Sequence, residues 1–82
     1  MTIEININSS DGNAFLLIGK IANLMEKAKR PKREIEKWEK EATSCNSYQE
    51  LLRKVQVKCV RLSYHLDEDV RLVSSKDYEI YN

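Results

Sequence analysis

Residues 11–19, Asp11-Gly12-Asn13-Ala14-Phe15-Leu16-Leu17-Ile18-Gly19, decide how the rest of this chain must fold, because they open its most apolar helix. From there Ala14, Leu17, Ile18, Ile21, Ala22, Leu24, Met25 and Ala28 recur at three- and four-residue spacing. That spacing puts them on one broad helical face, which must be buried against a partner. Ser9-Ser10-Asp11 supplies side-chain oxygens for the unpaired amides of a first turn, and Gly12 and Asn13 tolerate the change from extended to helical backbone. The helix is therefore expected to begin near residues 11 to 13 and to run to Lys29, about 17 residues or roughly 25 Å. A phosphate cradle at this turn is disfavoured: neither GxGxxG nor GxxxxGK[ST] is present, and Asp11 would repel the anion.

Upstream, Thr2 to Asn8 alternates strictly, with Ile3, Ile5 and Ile7 on one face and Glu4, Asn6 and Asn8 on the other. This is the pattern of a half-buried strand. Downstream, Pro31 closes the first helix and suits the first position of a second. Ile35, Trp38, Ala42 and Cys45 give that second helix a thin apolar stripe. Glu36 and Lys40 stand one turn apart and can pair, and Trp38 either anchors the stripe to the core or stands exposed for binding. Ser47-Tyr48-Gln49-Glu50 has the form of a capping box and starts a third helix.

The extent of the third helix is two-sided. Tyr48, Leu51, Leu52, Val55, Cys59, Leu62 and Leu66 fit a helical seam, whereas Val60, Leu62, Tyr64 and Leu66 alternate as in a strand. Seven positions against four favour a helix to about Leu66, although Val55, Val57 and Val60 lower helix propensity; a break near Val57 would add a strand to the sheet. Beyond Asp67-Glu68-Asp69, the segments 70–74 and 78–81 alternate around Ser75-Lys76-Asp77 and read as a hairpin. The expected fold is a single α+β domain, 1–82, of order β-α-α-α-β-β. Three helices pack on one face of a small, mainly antiparallel three-stranded sheet, to which Ile3, Ile5, Ile7, Leu72, Tyr78 and Ile80 contribute.

The strand, the DGNAF segment with its following Leu16-Leu17-Ile18-Gly19, and the later Ser47-Tyr48-x-x-Leu51-Leu52 together resemble a group of small uncharacterised proteins of tailed bacteriophages and prophages. The similarity spans about residues 3 to 55. Such proteins usually carry a glycine between the last helix and the next strand, and this chain has none after Gly19. The resemblance implies a phage accessory protein and transfers no catalytic residue.

Eighty-two residues make one small core, and a chain of this size gains from oligomerisation, so a homo-oligomer is one expectation. Fourteen Lys and Arg against thirteen Asp and Glu leave a net charge of +1, so any electrostatic function has to be local. Cys45 and Cys59 lack CxxC spacing, which indicates neither a zinc site nor a disulfide framework and suits a cytoplasmic chain, or the host cytoplasm for a phage product. No signal peptide and no membrane span are read from the residues.

Catalysis has little to use. His65 is the single histidine, no Ser or Cys lies in a base-bearing motif, and Asp67-Glu68-Asp69 lacks the ligand alternation of a calcium loop. No catalytic residue, cofactor or metal is therefore assigned. The chain's local charge is basic: Lys27, Lys29, Arg30, Lys32 and Arg33 crowd around Pro31. A negative helix C-terminus accounts for Lys27, Lys29 and Arg30, whereas Lys32 and Arg33 oppose the dipole of the second helix. If the third helix continues, Lys54, Lys58, Arg61 and His65 share one polar face. Solvated surface explains both groupings, with Glu34, Glu36 and Glu50 near enough to neutralise part of the field. An anionic partner explains them as well, and on that account the candidate binding residues are Lys29, Arg30, Lys32, Arg33, Trp38, Lys54, Lys58 and Arg61. The leading expectation is a non-enzymatic accessory protein that binds and modulates a host protein, as in host takeover or defence inhibition. The alternative is an anion-binding module for nucleic acid or a nucleotide.

Overall fold

A computed structural model describes residues 2–7 and 13–73. The order is β1 (Thr2–Asn6), α1 (Ala14–Lys27), α2 (Lys32–Thr43), α3 (Tyr48–Leu66) and β2 (Asp69–Val73). The expected core face of α1 is the one that is buried: Leu17, Ile18, Ile21, Ala22, Leu24 and Met25 are inside, with Ala14 and Ala28 packed at its margins. Around it close Ile5 and Val70 from the strands, Ile35, Trp38 and Ala42 from α2, and Leu51, Val55, Cys59 and Leu62 from α3. Trp38 pins α2 to α1, since its indole Nε1 donates to the Ile18 carbonyl at 3.1 Å and so is paired inside the core.

α1 is shorter than its periodicity suggests. Asn13 caps it, its side-chain oxygen accepting from the Phe15 amide at 2.9 Å. The expected cap at Ser9-Ser10-Asp11 lies outside the described residues. At the other end Lys29 turns left-handed, with φ 58°. The amides of Lys29 and Arg30 donate back to the carbonyls of Glu26 and Met25 at 2.9 and 3.0 Å, a Schellman closure that stops the helix before Lys29. Pro31 then occupies the cap of α2 rather than its first turn. Cys45 falls beyond the end of α2 and packs against the core from the turn, and Glu36 and Lys40 form no ion pair.

The third helix is unbroken from Tyr48 to Leu66, which resolves the helix-or-strand ambiguity of residues 57–66. Its capping box forms: Ser47 Oγ accepts from the Glu50 amide at 3.1 Å, and Glu50 reaches back to the Asn46 amide at 3.0 Å. Asp67, left-handed at φ 54°, takes the position where a glycine commonly ends a helix, and the Asp67 and Glu68 amides both close on the Ser63 carbonyl. Ser63 then ties the helix to the strand that follows, its Oγ accepting from the Val70 amide at 2.8 Å.

The sheet corrects the expected fold class. Among the described residues it is two-stranded and parallel, with Ile3 opposite Val70 and Ile5 opposite Leu72, rather than three-stranded and mainly antiparallel. The reason is a count of reversals. A chain that leaves β1, crosses the domain three times as helices and turns once more re-enters the sheet in the direction in which it left. Parallel pairing through a long helical crossover is the outcome that this topology allows. The first arm of the expected hairpin forms β2, one residue earlier than predicted; its second arm, residues 78–81, and the contributions of Tyr78 and Ile80 lie outside the described residues.

Candidate functional site

Four of the eight residues singled out from the sequence come together in one place. Trp38, Lys54, Lys58 and Arg61 line a groove of about 450 Å³ between α2 and α3, with Glu34, Lys37, Glu41 and Val57 completing it. Both helices present a row at helical spacing: Glu34, Lys37 and Glu41 on α2, and Lys54, Lys58 and Arg61 on α3. The α3 row exists only because that helix continues past Val57. Trp38 forms the floor and is no exposed anchor, being 1% accessible. The Lys58 Nζ stands 5.7 Å from the centre of its ring, so the indole is already faced by a cation.

The other four candidates, Lys29, Arg30, Lys32 and Arg33, sit at the α1–α2 turn and do not line the groove. Arg30 is committed locally. Its guanidinium meets the Glu34 carboxylate through Nη2 at 2.8 Å and Nε at 3.2 Å. These hydrogen bonds hold the Glu34 carboxyl below its ordinary range against the opposing effect of desolvation, and the charges of Arg30, Lys58 and His65 add to the lowering. Lys27 likewise pairs with Glu68 at 3.7 Å. Lys29, Lys32 and Arg33 are exposed and make no ion pair among the described residues. Lys32 and Arg33 occupy the first turn of α2, as their position after Pro31 requires.

A feature that charge reading missed adjoins the groove. Val57, Val60 and Tyr64 stand 55, 73 and 85% exposed on the side of α3 that faces away from the core. Spaced three and four residues apart, they form a continuous apolar row along the helix. Val60 and Tyr64 are half of the strand-like alternation; the sequence marks them as apolar, and the packing of α3 leaves them in water. Apolar residues that fit neither the buried seam nor a sheet are left for an interface. Arg53 stands at one end of the row, Lys54 and Arg61 run along its groove side, and Gln56 lies on the other. Glu50, which would face the same way, is turned back to cap its own helix.

The groups with nucleophilic or ligating character do not assemble. Cys59 is buried, and desolvation pushes its thiol up to about 11, so it is protonated at neutral pH. His65 meets Tyr64 edge to face at a centroid distance of 5.6 Å. Among the described residues no three His, Cys, Asp or Glu side chains are grouped so as to hold a metal ion, and no helix is long and apolar enough to cross a membrane.

The fold and the site together define a class: a small α+β protein that has, among the described residues, three helices, a two-stranded parallel sheet and a mixed basic and apolar helix face. Comparison with protein-family models, curated proteins and solved structures finds no match to this chain.

Proposed function

We propose that this chain is a non-enzymatic binding protein that engages a protein partner through the outer face of α3 and the adjoining groove. The observation that carries the reading is the row Val57, Val60 and Tyr64, three exposed apolar side chains in register on the side of α3 opposite the core. A small domain gains nothing in stability from an exposed tyrosine between two exposed valines, whereas an interface uses an aromatic and aliphatic centre with arginines at its edge. Arg53 and Arg61 are placed for that edge. The resemblance of the DGNAF segment to tailed-phage proteins gives the role its setting: an accessory protein acting in a host cytoplasm on a host protein, as a takeover factor or defence inhibitor.

Nucleic acid or a nucleotide suits the groove less well. Its tryptophan is buried and already faced by Lys58, so no base can stack on it. The test is a pull-down from bacterial lysate, run with and without nuclease, with the wild type and a Val60→Ser, Tyr64→Ser variant. The expected result is a protein captured by the wild type, indifferent to nuclease and lost by the variant. Capture that nuclease abolishes, or that the variant retains in full, refutes the proposal.

A further inference from the structure

We infer that the segment of the partner that seats on α3 is an acidic amphipathic helix. This rests on the protein-binding reading above and adds the chemistry of the partner. Three observations lead to it.

The first is shape. Val57, Val60 and Tyr64 repeat at the three- and four-residue spacing of a helix–helix seam, and the face from Arg53 to Tyr64 lies within one unbroken helix and is about 16 Å long. A second helix laid along it can place its own apolar residues between these three, and it needs only two to three turns to do so.

The second is charge. Beside the seam stand Arg53, Lys54 and Arg61, with Lys58 and Lys37 behind them in the groove. The two groove carboxylates do not cancel this field: Glu34 is held by Arg30, which leaves Glu41 alone against five cations. None of those five makes an ion pair among the described residues. Charges that flank an apolar seam select the sign of the partner's flanking residues, and here they select Glu and Asp.

The third observation removes the simplest competitor, a second copy of this chain. Two α3 helices packed face to face about a twofold axis would crowd Arg53, Lys54 and Arg61 of both copies along one seam, where Glu50 is occupied as a cap and Asp67 stands only at the end of the helix. Like charges at close range disfavour that pairing.

The test uses synthetic three-heptad peptides. One carries Leu at the seam positions and Glu at the flanks, a second has every Glu changed to Lys, and a third keeps Glu but has Ser at the seam. A single-stranded oligodeoxynucleotide of similar length serves as the fourth probe. Binding to the full chain is followed by fluorescence anisotropy of the labelled probe and by emission of Trp38, the single tryptophan, which borders the groove. The Leu/Glu peptide is expected to bind and to perturb Trp38, while the Lys and Ser peptides bind at least about tenfold more weakly. A Lys58→Glu, Arg61→Glu variant, with its fold checked by circular dichroism, should lose at least about tenfold toward the Leu/Glu peptide and gain toward its Lys counterpart.

Failure of the Leu/Glu peptide to bind below about 1 mM overturns the inference. So does equal binding of the Lys peptide, tighter binding of the oligonucleotide, or a concentration-dependent dimer that Val60→Ser, Tyr64→Ser abolishes. If the acidic peptide fails while the lysate partner is still lost by the Val60→Ser, Tyr64→Ser variant, the acidic helix falls and the protein-binding face stands. If both fail, both fall.

Discussion

Replacing Lys29 by glycine and, separately, by alanine tests the turn that sets α1 against α2. Lys29 holds a left-handed backbone, φ 58°, so that its amide and that of Arg30 can satisfy the carbonyls of Glu26 and Met25. A residue with a Cβ pays about 1–2 kcal/mol for that conformation, and glycine is spared it. Glycine gives back about 0.5–1 kcal/mol because its unfolded chain is freer. Both substitutions also remove a cation from the negative end of α1, a loss of about 0.3–1 kcal/mol that is common to the pair and cancels between them. The Lys29 side chain is exposed and makes no ion pair among the described residues, so nothing else separates the two variants. The glycine variant should therefore be more stable than the alanine variant by up to about 1.5 kcal/mol, or as much as roughly 12 °C in Tm for a chain of this size. Urea titration and thermal unfolding by far-UV circular dichroism measure it. The sign decides the matter. If residue 29 were helical, alanine would be the more stable by about 1 kcal/mol, and that result would refute the turn geometry.

Further substitutions check other parts of the structure. Gly19 lies inside α1 with nothing within 4 Å of where a Cβ would stand, so Gly19→Ala should raise stability by up to about 1 kcal/mol in the same urea assay. Ile21 is fully buried, so Ile21→Asp should leave no cooperative unfolding transition, whereas Asn23→Asp on the exposed side of the same helix should retain one. Thiol titration of the native protein at mildly alkaline pH should show Cys45 reacting promptly and Cys59 only on unfolding, because Cys59 is buried and stays protonated until the pH approaches about 11. Two fast thiols would mean that the Cys59 face of α3 is not packed against the core. Changing Lys32 and Arg33 together to Glu places favourable charge in the first turn of α2, so stability should hold or rise by up to about 1 kcal/mol. Partner affinity should fall less than it does for Lys58→Glu, Arg61→Glu, since the first pair lies outside the groove; the opposite order would move the site to the turn.

The sequence by itself determined the elements whose signal is local and repeated. The alternation of Ile3 and Ile5, the apolar face from Ala14 to Ala28 and the capping box at Ser47 each recur often enough to outweigh propensity, and each is realised. The helix through Val57 and Val60 was legible for the same reason, since seven seam positions outvoted four alternating ones, and with it the row Lys54, Lys58 and Arg61. Three features were decided only by tertiary structure. The sheet is parallel because strand direction depends on how many times the intervening chain crosses the domain, which no residue pattern near either strand encodes. Among the cations, Arg30 pairs with Glu34, while the α3 row comes to line one groove with Trp38 and Lys37 of α2, because residues of two helices become one site only through the packing of those helices. Val57, Val60 and Tyr64 became a surface row once the core had closed on the opposite side of α3. A helix has one buried face, and the packing of its neighbours chooses which apolar residues remain in water.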